Sequence, residues 1–132
     1  MKVVVDTNVI VSAQLNTNGP TAKILSLILN GKLHLLYDNR IFFEYIDVLS
    51  RKKFGFKAET TSDLIDFFKH EGEYINADYS NESFGDEADK KFYEVYKSGD
   101  AQYLVTGNRK HFPDDEGIIT PGEFLLKSWR EE

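Results

Sequence analysis

Residues 3–13 read VVVDTNVIVSA, and this stretch decides the fold. It opens with three consecutive valines and is interrupted by Asp6. Successive side chains of a strand point to opposite faces, so a strand that is apolar at every position must be covered on both faces. The stretch therefore predicts a buried strand of a parallel sheet that ends at Asp6.

Helical and strand-like segments alternate along the rest of the chain. Helices are predicted over 21–30, 39–52, 61–71, 87–98 and 121–129, and further strands over 33–37, 102–105 and 118–119. Apolar residues recur at helical spacing in these helices, and Gly31, Gly72 and Gly99 follow three of them. Such alternation predicts an α/β fold: a three-layer α/β/α sandwich around a mainly parallel sheet.

The length of 132 residues suits one domain, so 1–132 is assigned to a single domain. The absence of cysteine excludes disulfides, zinc–thiolate sites and thiol nucleophiles. No run of 18 apolar residues occurs, which predicts no membrane partner, and Asp6 and Asn8 argue against a secretory signal. We therefore expect a cytoplasmic protein.

The charge is acidic and uneven. The chain has 16 Lys and Arg against 22 Asp and Glu, and residues 71–100 alone hold 3 basic and 9 acidic side chains. This balance argues against a simple basic coat for nucleic acid. The basic run at 51–53 is either a solvated loop or a patch that contacts phosphates.

Polar residues follow two predicted strands at the point where each strand ends. Asp6 follows the first strand, and Thr106 and Asn108 follow the strand at 102–105. Ligands of parallel sheets bind beyond the carboxyl ends of the strands. These side chains are therefore expected at one edge of the sheet.

Two helices supply further carboxylates. Glu44 lies at the edge of the apolar face of its helix, and Asp89 lies on the aromatic face of another, with Asp86 near the start of that helix. A buried carboxylate without a partner is costly, so converging carboxylates indicate a cation between them. Hard oxygen ligands without cysteine favour Mg²⁺ or Mn²⁺ over zinc.

Each of these residues also has a structural interpretation. Asp6 and Asn108 are typical turn residues, and Glu44 is typical of a solvated helix edge. Asp86 and Asp89 have the spacing of a helix-capping pair. The three histidines share no ligand spacing and are assigned no chemistry: His34, His70 and His111.

Four segments together resemble the PIN-domain family of metal-dependent nucleases, which have a small α/β/α fold. They are VVVDTNVIVSA at 3–13, NRIFFEYIDVLSRKKFG at 39–55, DEADKKFYEVYKSGDAQYLVTGNRKHF at 86–112 and IITPGEFL at 118–125. The resemblance covers essentially the whole chain. The last segment resembles the close of a subgroup of toxins from toxin–antitoxin pairs.

The resemblance implies three catalytic acids and a metal site. Asp6, Glu44 and Asp89 match the first three acids of the family, and Asp86 matches an accessory acid. Asn108 stands where the family has a fourth acid, so we expect a second metal to bind weakly or only with substrate. The segment around 87–88 is also less acidic than is usual in the family. The implied cofactor is Mg²⁺ or Mn²⁺.

The implied reaction is hydrolysis of phosphodiester bonds in RNA. RNA is then the substrate, an antitoxin protein is a partner, and a homodimer is one form of assembly. The candidate substrate contacts are Thr7, Asn8, Thr106, Arg109, Lys110, Lys52 and Lys53. The assignment of the four basic residues follows from their ability to hold flanking phosphates.

Two other functions stay open. One is a PIN-like domain that binds RNA or protein without useful activity, which Asn108 favours. The other is a receiver-type signalling domain, for which Asp38 is the only candidate phosphoacceptor. That domain would need paired acids after the first strand, where this chain has Asp6 followed by Thr7 and Asn8.

Overall fold

The computed structural model describes residues 1–127, which fold around a five-stranded sheet. The strands are β1 (Lys2–Val5), β2 (His34–Tyr37), β3 (Glu73–Tyr74), β4 (Tyr103–Val105) and β5 (Ile118–Ile119). The α-helices are α1 (Thr7–Leu15), α2 (Pro20–Leu29), α3 (Asn39–Leu49), α4 (Ala58–Glu71), α5 (Lys90–Ser98) and α6 (Pro121–Lys127). Single 3₁₀ turns cover Lys52–Phe54, Glu87–Asp89 and Arg109–His111. None of the helices within residues 1–127 is long and apolar enough to cross a membrane.

The sheet is parallel throughout and has the order β3-β2-β1-β4-β5. Val3 of β1 pairs with Leu35 of β2 on one side and with Tyr103 of β4 on the other. From β1 the chain adds β2 and β3 towards one edge, and it adds β4 and β5 towards the other. The order of the strands therefore reverses beside β1, and such a switch point is where sheets of this class bind ligands.

The core lies on both faces of the sheet. Val3, Val4 and Val5 are each 0% exposed, although neighbouring side chains of a strand point to opposite faces. Helix α5 packs across β1, β2 and β4. Tyr45 of α3 is fully buried, and its hydroxyl donates a hydrogen bond of 2.5 Å to the carbonyl of Val5. This contact fixes α3 at the carboxyl end of β1.

The predicted α/β sandwich is confirmed, and the predicted strands match to within a residue. Two elements were not predicted. Helix α1 has a β-branched and largely buried sequence, which lowers helix propensity and hides the helical period. Strand β3 has only two residues, too few to give a pattern.

Three predicted helices have different bounds. The predicted helix 87–98 divides into a 3₁₀ turn and α5, and the predicted helix 39–52 ends at Leu49. Helix α4 begins three residues before the predicted start at 61. Helix α6 is described to Lys127, and the last two residues of the predicted helix 121–129 lie outside the described residues.

Candidate active site

Asp6 and Thr106 join the carboxyl ends of β1 and β4 at the switch point of the sheet. The backbone N–H of Asp6 donates to the carbonyl of Val105 at 2.9 Å, which continues the pairing of the two strands. The Thr106 hydroxyl donates to Oδ2 of Asp6 at 2.8 Å and accepts from the N–H of Asn108 at 3.0 Å. Asp6 is 4% exposed and Thr106 is 0% exposed. The position of the Asp6 carboxylate is therefore set by the sheet itself.

The surroundings of Asp6 disfavour its negative charge. Burial raises the pKa of Asp6, and the hydrogen bond from Thr106 lowers it. The negative charges of Asp89 and Glu44 raise this pKa further, and a backbone hydrogen bond from Asn8 lowers it. Asp89 and Glu44 therefore both lie close enough to Asp6 to act on its charge. A cation at this edge of the sheet would relieve the repulsion.

Glu44 reaches this edge from the middle of α3. Its side chain is 28% exposed, and both of its carboxylate oxygens have partners. The hydroxyl of Thr7 donates to Oε2, and the Lys91 ammonium lies 2.8 Å from Oε1. Thr7 is the first residue of α1 and is buried, so the structure gives this predicted substrate contact a different role, that of orienting Glu44.

Asp89 lies at the junction of the 3₁₀ turn and α5. Its side chain is 17% exposed, and its Oδ2 lies 3.1 Å from Nδ1 of His111. Burial raises the pKa of Asp89, the hydrogen bond with His111 lowers it, and the charge of Asp86 raises it. Asp86 is exposed and accepts from the N–H of Ala88 at 2.9 Å. The capping interpretation therefore describes Asp86, whereas Asp89 is directed to His111.

Thr106, a predicted substrate contact, is buried and bonded to Asp6, whereas the remaining predicted contacts are exposed. Asn8 lies on the first turn of α1, beside the acids, and Asn108 and Lys110 follow β4 on the same edge of the sheet. Arg109 pairs with Glu123 of α6 at 3.0 Å. Lys52 and Lys53 lie in the 3₁₀ turn after α3, separated from Glu44 by the last part of that helix.

The acids have the chemistry of a magnesium site but are not arranged as one. Within residues 1–127, no group of three or more histidine, aspartate or glutamate side chains stands ready to hold a metal ion. Two of the acids have other partners instead: Glu44 pairs with Lys91, and Asp89 pairs with His111. The carboxylate oxygens nevertheless suit a hard divalent cation. Such a cation would offset the burial and the charge repulsion that raise the pKa of Asp6.

Two residues of this site carried no sequence signal. Lys91 lies only two positions after Asp89, and residues at this spacing do not share a helix face. Its contact with Glu44 joins two different helices and is therefore a tertiary contact. His111 was assigned no chemistry, and it reaches Asp89 through the turn after β4. Neither contact follows from a local pattern.

Asp38, the phosphoacceptor of the receiver interpretation, has a structural role. It follows β2, is 6% exposed and caps α3, with Oδ1 accepting from the N–H of Ile41 at 3.0 Å. Its Oδ2 lies 2.7 Å from the guanidinium of Arg40, which also pairs with buried Glu94 at 2.7 Å. A carboxylate with these partners is not presented for phosphorylation.

The family described as PIN domain matches residues 2–110, which include all five predicted metal-ligand positions and β1 to β4. No curated protein matches the chain. The fold, the acids at the switch point and this match agree, and the chain belongs to the PIN-domain family, whose fold is in general that of nucleases.

Proposed function

We propose that this protein is a metal-dependent ribonuclease that hydrolyses phosphodiester bonds at the edge of the sheet beside Asp6. The observation that carries the proposal is the electrostatic convergence of Asp6, Glu44 and Asp89 at the switch point, where burial and mutual repulsion raise the pKa of Asp6. A structural acid would normally have a cationic or fully donating set of partners. Within the described part of the chain, Asp6 accepts hydrogen bonds from neutral groups only and also faces two neighbours of its own sign.

Asp6, Glu44 and Asp89 would hold Mg²⁺ or Mn²⁺, with Asp86 and Asn108 as outer partners. A bound divalent cation supplies an activated water and neutralises charge that develops on the phosphate. Thr106 fixes the orientation of Asp6, and Thr7 fixes that of Glu44. Such partners of ligands position the carboxylates before the substrate arrives.

RNA would approach this edge with its phosphates between exposed polar and basic side chains. Asn8, Arg109 and Lys110 lie on segments that directly follow β1 and β4. They are the candidates for contacts beside the scissile phosphate, and Lys52 and Lys53 are candidates for more distant phosphates. Because the chain has a net charge of −6, we expect binding to be modest and sensitive to salt.

The test is cleavage of a panel of single-stranded and structured RNAs with Mg²⁺, with Mn²⁺ and with a chelator. We expect metal-dependent cleavage by the natural chain and none by Asp6→Asn, because the amide removes the charge that the cation requires. Asp63→Asn is the matched control, since Asp63 is an exposed aspartate of α4. Equal cleavage by the natural chain and Asp6→Asn would reject the proposed site.

The toxin role is a finer proposal and rests on the resemblance of residues 118–125 alone. In the structure this segment forms β5 and the start of α6. An antitoxin partner and a homodimer belong to the same proposal. Growth arrest on expression of the natural chain, absent with Asp6→Asn, would support the toxin role, and arrest by both would remove the link to the acids.

A second candidate is a PIN domain that binds RNA or protein without cleavage. Two observations favour it: Glu44 and Asp89 are engaged by Lys91 and His111, and Asn108 replaces an acid of the family pattern. RNA binding that is unaffected by metal, together with no cleavage under any metal condition, would select this function over the nuclease.

A further inference from the structure

Lys91 places a positive charge inside the acidic site. Its side chain is only 12% exposed, and its ammonium lies 2.8 Å from Oε1 of Glu44. The charge of Lys91 also acts on Asp89 and lowers the pKa of that carboxyl. One side chain of α5 therefore offsets part of the negative charge of two proposed metal ligands.

The two partners of Glu44 differ in how easily they can be exchanged. Thr7 is buried at the start of α1, and its short side chain cannot move away without the helix. Lys91 has a flexible four-carbon side chain, which also donates to the carbonyl of Ala88 and lies with its ammonium 5.0 Å from the Phe92 ring. Lys91 can thus leave Oε1 and keep other contacts, while Thr7 continues to orient Oε2.

We propose that Lys91 is an exchangeable counter-ion: it balances Glu44 in the metal-free protein and leaves Oε1 when a divalent cation binds. The proposal rests on the proposed metal site and deepens it. It accounts for the pairing of Glu44, a proposed metal ligand, with a lysine at 2.8 Å. It makes Lys91 a positioning residue whose ammonium competes with the cation for one oxygen of Glu44.

The first test measures the affinity for Mn²⁺ by calorimetry at low salt, with Lys91→Met and its control Lys90→Met. Lys90 is the preceding residue and pairs with Glu87 at 3.9 Å, so its replacement removes the same charge without touching Glu44. We expect Lys91→Met to bind Mn²⁺ roughly tenfold more tightly than the natural chain, because a positive charge that competes with the cation for Oε1 of Glu44 is lost. Lys90→Met should change the affinity far less.

The outcomes separate this inference from the proposed function. If the natural chain binds Mn²⁺ and Lys91→Met binds it equally or more weakly, the counter-ion is rejected and the metal site stands. If neither protein binds Mn²⁺, both the metal site and the counter-ion are rejected. Tighter binding by Lys91→Met but not by Lys90→Met supports the inference.

The second test uses the natural chain, so it does not depend on the folding of a variant. Lysines are acylated with an amine-reactive ester with and without Mn²⁺, and labelling at each residue is measured by mass spectrometry of peptides. We expect Mn²⁺ to increase labelling of Lys91 severalfold, because its ammonium is released from Glu44, and to leave Lys90 unchanged. Unchanged or reduced labelling of Lys91 at saturating Mn²⁺ would overturn the inference.

Discussion

Two aspartates end neighbouring strands of the sheet, and they have opposite surroundings. Asp6 follows β1 and is 4% exposed, and Asp38 follows β2 and is 6% exposed. Asp38 caps a helix and pairs with Arg40 at 2.7 Å. Asp6 accepts hydrogen bonds only from neutral groups among its described partners, and it faces the negative charges of Asp89 and Glu44.

The difference shows that burial of an acid does not by itself indicate a functional site. The carboxylate of Asp38 finds its partners close by in the sequence. Asp38 caps α3, and Arg40, two positions later, lies in the first turn of that helix. The neighbours of Asp6 leave its negative charge uncompensated. Only groups from elsewhere in the chain, or a bound cation, can offset that charge. Asp38 therefore has a structural role, and Asp6 is the residue on which the proposed chemistry rests.

The largest expected effect separates the two residues by activity. In the RNA cleavage assay, Asp6→Asn should lose more than about 100-fold in kcat/KM, since losing even an outer partner of a metal ligand costs 10- to 100-fold. Asp38→Asn should stay within about threefold of the natural chain, because asparagine also caps helices well. Equal losses in both variants would break the distinction.

The free energy of unfolding should instead depend on the surroundings of Asp38, through the ion pairs of Arg40. Arg40→Met leaves Glu94, which is 2% exposed, with the N–H of Ser80 but no cation. Because Arg40 itself is 40% exposed, we expect a loss of about 2 kcal/mol in the free energy of unfolding, less than for a fully buried pair. Urea denaturation measures it.

Arg51→Met is the matched control for this loss. Arg51 pairs with Asp47, whose side chain is 71% exposed, and such surface pairs contribute about 0–1 kcal/mol. If both arginine variants lost the same free energy of unfolding, the ion pairs around Asp38 would stabilise the protein no more than a surface pair does.

A smaller effect distinguishes the two aspartates by the pH dependence of the stability of their variants. The raised pKa of Asp6 means that the native protein holds this proton more tightly than the unfolded chain, whose pKa is near 3.8. The ionised carboxylate therefore costs stability, and this cost grows as the pH rises from about 4 through the raised pKa. Asp6→Asn removes the cost, so its Tm should exceed that of the natural chain at pH 7.

The measurement is thermal unfolding between pH 4 and pH 7 with a chelator present. The Tm difference between Asp6→Asn and the natural chain should increase with pH through the raised pKa of Asp6 and level off above that pKa. Asp38→Asn should instead have a lower Tm at pH 7, because it loses the ion pair with Arg40. A Tm decrease for Asp6→Asn at pH 7 would contradict the electrostatic account of the site.

Most of the fold could be predicted from the sequence because its elements have strong local patterns. The valine run of β1 and the apolar face of α3 each report burial directly. The rule for parallel sheets then places Asp6 and Thr106 at one edge, and their hydrogen bond agrees with that placement. Helix faces and the family resemblance both indicated Glu44 and Asp89, and the electrostatic interaction of both with Asp6 is consistent with this.

The partners of these acids could not be predicted, because they come from contacts distant in sequence. Lys91 meets Glu44 across 47 positions, and His111 meets Asp89 across 22. The role of Thr7 was equally hidden, since an exposed and a buried threonine have the same local sequence. Helix α1 was missed because its largely buried, β-branched sequence shows no amphipathic period.

Binding of Mn²⁺ to the natural chain, Asp6→Asn and Asp38→Asn tests the central claim most directly, measured by calorimetry at one pH and ionic strength. We predict that the natural chain and Asp38→Asn bind Mn²⁺ with similar affinity and that Asp6→Asn loses binding. Retained binding by Asp6→Asn, or its loss in Asp38→Asn while the fold is intact, would contradict the assignment of the metal site to the acids around Asp6.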